Sequence, residues 1–322
     1  MSVTFSGAFT FNGGGLTLTM APTGATAGWY GGGKITTGTP ISSVSRITYA
    51  TDTDTASNRG TLSAARYSLG GTGNLTYGWF GGGYKANAPT TAYSIVDRIT
   101  YSTDTATASV RGPLNQSIFD ISAAGTSTDG WFIGGYSPAA PSGARSTVIR
   151  ITYATDTATG TAKANLPNSA WDMTALTDTT TYGWCAGGQP GSGAITTVNR
   201  IIYATDTASP TSRGPLTSAT QAAGSTYTTA YGWVGGSPGS TVQRITYATD
   251  TATASVRGPI YTNNYNAGSG NDTYGWFGGG ENAGAFLTTV YRITYATDTA
   301  AATARGPLFS ISSNLAATSG QQ

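Results

Sequence analysis

Residues 98–114 read RITYSTDTATASVRGPL, residues 244–260 RITYATDTATASVRGPI and residues 292–308 RITYATDTAAATARGPL. A block that returns nearly unchanged marks a repeat architecture, and the rest of the chain supplies its period. The first half of the block begins again at Arg46, Arg150 and Arg200, and relatives of its closing Arg-Gly-Pro-Leu stand at Arg59, Lys163 and Arg213. Upstream of each block, Gly-Trp runs into small residues and glycines at Trp29, Trp79, Trp131, Trp184, Trp233 and Trp276, 43 to 53 residues apart. The chain is therefore six copies of one unit of roughly fifty residues.

Each unit divides into four short strands: a after Arg-Gly-Pro-Leu, b ending at the glycines, c through Val-x-Arg-Ile-Thr-Tyr, and d through Thr-Ala-Thr-Ala-Ser-Val. β-Branched and aromatic residues at period two, bounded by Gly, Pro, Asn and Asp, predict strand throughout. In strand c, Val44, Arg46 and Thr48 face one side and Ile47 and Tyr49 the other. Both sides need cover, as they receive when propeller blades stack. The expectation is an all-β, six-bladed β-propeller of four-stranded antiparallel blades.

The units resemble kelch repeats, in which a glycine doublet ends strand b and a Tyr ends strand c before a turn into strand d. Gly81-Gly82-Gly83, Tyr101 and Ser102-Thr103-Asp104-Thr105 occupy those places in the second unit. The chain departs from the kelch pattern in one respect: the Trp stands in strand b rather than strand d, so packing between blades must differ. A WD-type propeller fits less well, since the one Trp-Asp dipeptide, Trp171-Asp172, is not repeated in register.

Composition agrees with such a fold. Leu, Ile, Val and Phe total only 48 of 322 residues, so the 19 Tyr and 7 Trp must carry much of the core. The net charge is +2, and twelve of the sixteen basic residues sit in the two repeat slots. That even spread argues against a nucleic-acid footprint. A single cysteine, Cys185, excludes an internal disulfide, and the absence of His removes the commonest general base and metal ligand. No stretch approaches 18 apolar residues, and the first residues lack a basic and then apolar leader, so neither membrane insertion nor a signal peptide is expected.

Strand a has seven candidates for six places. Seven residues after the Leu or Ile of each closing block come Leu69, Ile121, Met173, Ala223, Ala267 and, in the C-terminal segment, Leu315, all apolar, whereas the N-terminal candidate offers Thr19. Closure by residues 308–318 in the blade of Trp29 follows, with residues 25–322 as the propeller. Residues 1–24 are left as a β arm, with Phe5, Phe9 and Phe11 on one strand and Leu16, Leu18 and Met20 near a second.

No catalytic residues, cofactor or metal site are expected. The repeated Asp52, Asp104, Asp156, Asp206, Asp250 and Asp298 are single carboxylates among threonines, too few for calcium, and read as turn formers paired with a repeat Arg between blades. Asp120 and Asp172, at equivalent places in adjacent units, are the best pair available for glycoside hydrolysis. The face carrying the d–a and b–c loops is where the units diverge. There the candidate ligand-binding residues are Tyr67, Phe119, Trp171, Gln221 and Tyr265, with Arg66, Asp120 and Asp172 beside them and Tyr84, Tyr136 and Arg145 on the b–c loops. These aromatics either plug the central channel or stack on a sugar or peptide.

The near-identity of the blocks also resembles repeat proteins of bacteriophage virions, particularly phages of marine bacteria and cyanobacteria. That resemblance implies a non-enzymatic tail fibre, tail tip or capsid-surface component, assembled in the host cytoplasm. It would join other virion proteins through the arm and meet a host-surface glycan or receptor with the opposite face. A cellular kelch-type scaffold and a carbohydrate-active enzyme are the competing classes.

Overall fold

The computed structural model describes residues 9–12, 15–18, 24–85, 91–138, 143–191, 193–237 and 239–320. Six four-stranded antiparallel sheets form the blades of a propeller. Blade 2 shows the unit in sequence order: strand a Gly70–Gly73, b Tyr77–Gly81, c Val96–Thr100 and d Ser109–Arg111. Strand b turns into the b–c loop at Gly82 and Gly83, with φ of 71° and 110°, a left-handed pair for which only glycine lacks a steric cost.

Blade 1 draws on both ends of the chain. Its order is Ala316–Ser319, Ala27–Gly31, Val44–Thr48, Ser57–Asn58, with Gly28 opposite Ser319 and Gly31 opposite Ala316. The C-terminal segment is thus strand a of the Trp29 blade, as the apolar register of Leu315 predicts. Upstream of the ring, Phe9–Asn12 pairs with Gly15–Leu18 as a two-stranded ribbon. Phe5 and Met20, expected in the same arm, lie outside the described residues.

Strand d is shorter than expected, two or three residues per blade. After Tyr101–Thr103 makes a 3-10 turn, the following residues bond the neighbouring blade instead: Gly60 N–H donates to the Asp104 carbonyl at 2.7 Å and Ala108 N–H to the Thr61 carbonyl at 2.8 Å. Short outer strands also offer little edge for pairing with another chain. A second difference concerns strand a of blade 6. Ala267 does not share the register of Leu69 and Leu315; Asn266 does, because the d–a loop there is one residue shorter. Buried Asn266 donates to Asn263 Oδ1 at 3.0 Å and accepts from the Gly224 N–H, so a polar link replaces an apolar contact.

The junctions between blades repeat one design. Asp104 of blade 2 accepts from Trp29 Nε1 at 2.7 Å and from Arg46 Nη1 at 3.1 Å, both of blade 1, while Arg59 Nε lies 3.5 Å away. Trp29 also stacks on Tyr101 of blade 2, ring centroids 3.9 Å apart. The arrangement returns at Asp156, Asp206, Asp250 and Asp298, with Lys163 Nζ 3.2 Å from Asp206 where other blades use Arg. Across the seam, Asp52 of blade 1 receives Trp276 at 2.8 Å, Arg292 at 3.0 Å and Arg305 at 3.3 Å from blade 6. Strand-b Trp thus bridges to the next blade, which accounts for its absence from strand d. At the axis the strands a come close: a Cβ on Gly268 would lie 2.0 Å from the Ser225 carbonyl oxygen. Among the described residues no helix is long and apolar enough to cross a membrane.

Replacing one of these aspartates should be costly, because it strands a buried indole N–H and two cations. Asp156→Ala is expected to lower unfolding free energy by about 3 kcal/mol, the range for breaking a buried pair by removing one partner. Urea denaturation measures it, and a loss under about 1 kcal/mol would contradict this account. Deleting residues 308–322 should expose the edge of strand b in blade 1 and shift the protein to aggregates on size-exclusion chromatography.

Candidate functional site

The face bearing the d–a and b–c loops is built in three concentric layers around the axis. The innermost layer is one residue per blade, two positions before strand a: Ser68, Asp120, Asp172, Ala222, Tyr265 and Asn314, all with φ between 49° and 59°. That left-handed backbone turns each peptide tangential to the channel. Each N–H then donates to the carbonyl of the preceding blade: Ser68 to Asn314 at 2.7 Å, Asp120 to Ser68 at 2.8 Å, Asp172 to Asp120 at 3.1 Å, Ala222 to Asp172 at 2.7 Å, Tyr265 to Ala222 at 2.8 Å, and Asn314 to Tyr265 at 3.0 Å. The six bonds close a circle around the channel mouth. Below it lies a cavity of ≈ 120 Å³ lined by the strands a, and a smaller one of ≈ 60 Å³ reaches toward the opposite face.

The middle layer is Tyr67, Phe119, Trp171, Gln221, Asn264 and Ser313, and it pairs with the outer layer of Tyr84, Tyr136, Gln189, Ser237, Glu281 and Lys34. Over blades 2 to 4 the middle layer is aromatic, as is the outer layer of blades 2 and 3, and the rings run as one row. Tyr67 and Tyr84 are 5.3 Å apart, Tyr84 and Phe119 4.9 Å, Phe119 and Tyr136 5.2 Å, and Tyr136 and Trp171 5.4 Å. All five are half-buried, and neighbouring rings meet edge to face or tilted. Over blades 5 and 6 the same positions turn polar.

Several expected site residues therefore meet, and others do not. Tyr67, Phe119, Trp171, Tyr84 and Tyr136 form the row. Gln221 continues it as a polar member whose Oε1 is buried without a hydrogen-bond partner among the described residues. Tyr265 does not align with Tyr67; the shortened loop moves it into the innermost ring, in line with Ser68 and Asp120. Arg66 is not available to a ligand at all. It is fully buried, 2.8 Å from Asp97, and donates to the carbonyls of Gly82 at 2.9 Å and Phe80 at 3.0 Å, so it ties the d–a loop to strands b and c of blade 2. Arg145 is half-buried on the b–c loop of blade 3, where its backbone bonds Gly135 and Ala170.

Two further residues complete the channel and its mouth. Tyr227 enters the channel near the opposite face, at a register where other blades place Gly73, Gly125 and Gly270. The aromatics of the mouth are thus not what narrows the far end of the channel. Its singularity in the aligned repeat was the available signal. The second is Lys34. Its ammonium sits 5.4 Å from the Tyr67 ring centroid and 5.7 Å from those of Tyr265 and Phe286, and it acts electrostatically on both Asp120 and Asp172.

Asp120 and Asp172 are in hydrogen-bonding contact with one another. Burial at the mouth pushes Asp120 up to about 6, although Ser68 and Lys34 pull the other way. Asp172 is raised well above the usual carboxylate range by burial and then by the charge of Asp120. Both carboxyls therefore hold a proton to higher pH than an isolated carboxyl does.

No known protein family matches this chain, and no curated protein does either.

The carboxyl pair makes stability depend on pH with a defined sign. The folded state retains a proton that the unfolded chain releases near 3.8, so the pair's stabilisation is complete below about pH 4 and is lost as pH rises through about 6 and beyond. Asp172→Asn should remove this dependence and raise the melting temperature at pH 8 while leaving it nearly unchanged at pH 4. Thermal melts across that interval test it; equal shifts at both pH values would show that the carboxyls do not hold the proton.

Proposed function

We propose that this protein is a non-enzymatic carbohydrate-binding propeller that holds a host-surface glycan against the aromatic row of its loop face. The observation that carries the reading is the row from Tyr67 to Trp171: five rings spaced about 5 Å apart, partly open to solvent, on the face where the repeats diverge. A sugar offers an apolar face to such rings and hydroxyls to the polar groups beside them, here Gln189, Gln221 and the carboxyl pair. The spacing is close to that of successive sugars in a chain, so the row suits an extended saccharide better than a single residue.

The likeness of the repeat blocks to phage virion proteins supports placing this binding at the surface of a phage particle, in a tail fibre, tail tip or capsid-surface component. The kelch-like unit fits such a role as a rigid, low-charge support. In this reading the chain enters strand b of blade 1 from the face opposite the aromatic row, and residues 1–24 contact other virion proteins there. Attachment and recognition then occupy opposite faces. Asp120 and Asp172 are neighbours in the innermost ring and burial raises both carboxyls, so in this reading they orient a ligand rather than hydrolyse it.

A glycan array probed with the wild-type protein should give a defined set of bound saccharides without release of products. Trp171→Ala and Tyr67→Ala, at the two ends of the row, should each weaken binding at least tenfold while far-ultraviolet circular dichroism and thermal melts stay near wild type. Absence of any bound glycan, or binding indifferent to both substitutions, would overturn the reading.

A further inference from the structure

Among the described residues, two carboxyls at the channel mouth, Asp120 and Asp172, are acted on by one cation, Lys34. Asp120 and Asp172 stand in the innermost ring, Glu281 acts electrostatically on Tyr265 in the same ring, and the cation acting on the pair is Lys34. The aromatic faces there are turned to a positive charge: three rings, Tyr67, Tyr265 and Phe286, surround the Lys34 ammonium at 5.4 to 5.7 Å. Aromatic faces carry partial negative charge, and several around one point, with carboxyls beneath, form a cage for an ammonium group. Lys34 fills it from the side. Its backbone is pinned to the C-terminal segment, with Lys34 N–H donating to the Ser313 carbonyl at 2.9 Å and Ser313 N–H to the Lys34 carbonyl at 3.0 Å. Only the side chain of Lys34 reaches the cage, and its backbone bonds do not involve the ammonium.

We infer that this cage is a recognition pocket for an ammonium-bearing sugar, and that Lys34 occupies it as an internal stand-in which the ligand must displace. The inference rests on the carbohydrate-binding reading above and specifies the ligand: an extended saccharide lies along Tyr67 to Trp171 and places an amino substituent at the Tyr67 end. Charge favours this class over an acidic sugar, which would bring a further anion to a mouth holding Asp120, Asp172 and Glu281. The displacement costs affinity in proportion to how much of the time Lys34 fills the cage. Charge and protons stay linked: the ligand's ammonium replaces that of Lys34 beside Asp120 and Asp172, and in Lys34→Ala it restores the cation those carboxyls lack. The groups that set this linkage are Asp120, Asp172, Lys34 and Glu281, with Ser68 and Tyr265 packed against them.

The test is calorimetric titration with a β-1,4-glucosamine tetramer and its fully N-acetylated counterpart, at pH 5 and pH 7, against the wild type, Lys34→Ala and the double substitution Lys34→Ala with Asp172→Asn. Lys34→Ala should bind the amino tetramer at least tenfold more tightly than the wild type does at pH 5, where the tetramer's amines are protonated. It should show no gain for the N-acetylated tetramer, and Asp172→Asn should cancel the gain. Asn tolerates the left-handed backbone at position 172, so this variant keeps the inner ring. An equal gain for both tetramers would mean that removing Lys34 merely opens space, and no gain for either would mean the cage selects no cation; each result overturns the inference. If that happens while a neutral glycan still binds in a manner sensitive to Trp171→Ala, the carbohydrate-binding reading survives alone. If Trp171→Ala affects no ligand, both fall.

Discussion

Everything in this ring depends on one carboxylate per blade junction. Each repeat Asp takes an indole N–H and a guanidinium from the preceding blade, with a second cation at ion-pair distance, and its own turn supplies a carbonyl to that blade's backbone. An ion pair taken out of water is worth little unless its remaining hydrogen-bond capacity is filled. Here the Trp fills it and the Tyr stacked on that Trp shields it. A chain poor in aliphatic residues can thereby build a large fold: the apolar area its core lacks is supplied by indole and phenol rings, and their polar edges are satisfied within the junction.

Much of this was legible in the sequence because repetition makes register visible. The four-strand unit, the placement of Leu315 in the blade of Trp29, and the pairing of repeat Arg with repeat Asp all follow from comparing six copies. What escaped comparison was whatever broke the copy. Arg66 looked like a charge on the variable face, but its partner Asp97 sits in strand c, where other units carry Ser45, Ile149, Asn199, Gln243 or Tyr291. A buried pair made of two non-repeating residues leaves no periodic trace. Tyr265 was misplaced by counting a fixed number of residues along a loop that had lost one. Asn266 then took a position that the repeat reserves for an apolar side chain.

The candidate site shows the same division. The aromatic row could be read in advance, since Tyr67, Phe119 and Trp171 fall at one register. The inner ring could not, because its defining property is backbone conformation rather than residue type: Ser, Asp, Ala, Tyr and Asn all serve, and what they share is a positive φ that aims the peptide at the next blade. Constancy of backbone with freedom of side chain lets this ring vary its chemistry from blade to blade without opening.

The seam in blade 1 has a mechanical side. Strand a ends and strand b begins at the same face, with Ser319 paired to Gly28. Tension applied between the two chain ends would part these strands like a zipper, one backbone pair at a time. Tension entering through strand b and leaving through the mouth face runs along the strands instead, so that all the pairs of the seam, and Asp52 with its bonds to Arg292 and Trp276, resist together in shear. The ring is weak against one direction of pull and strong against the other, and a tether on the N-terminal side alone loads it in the strong one.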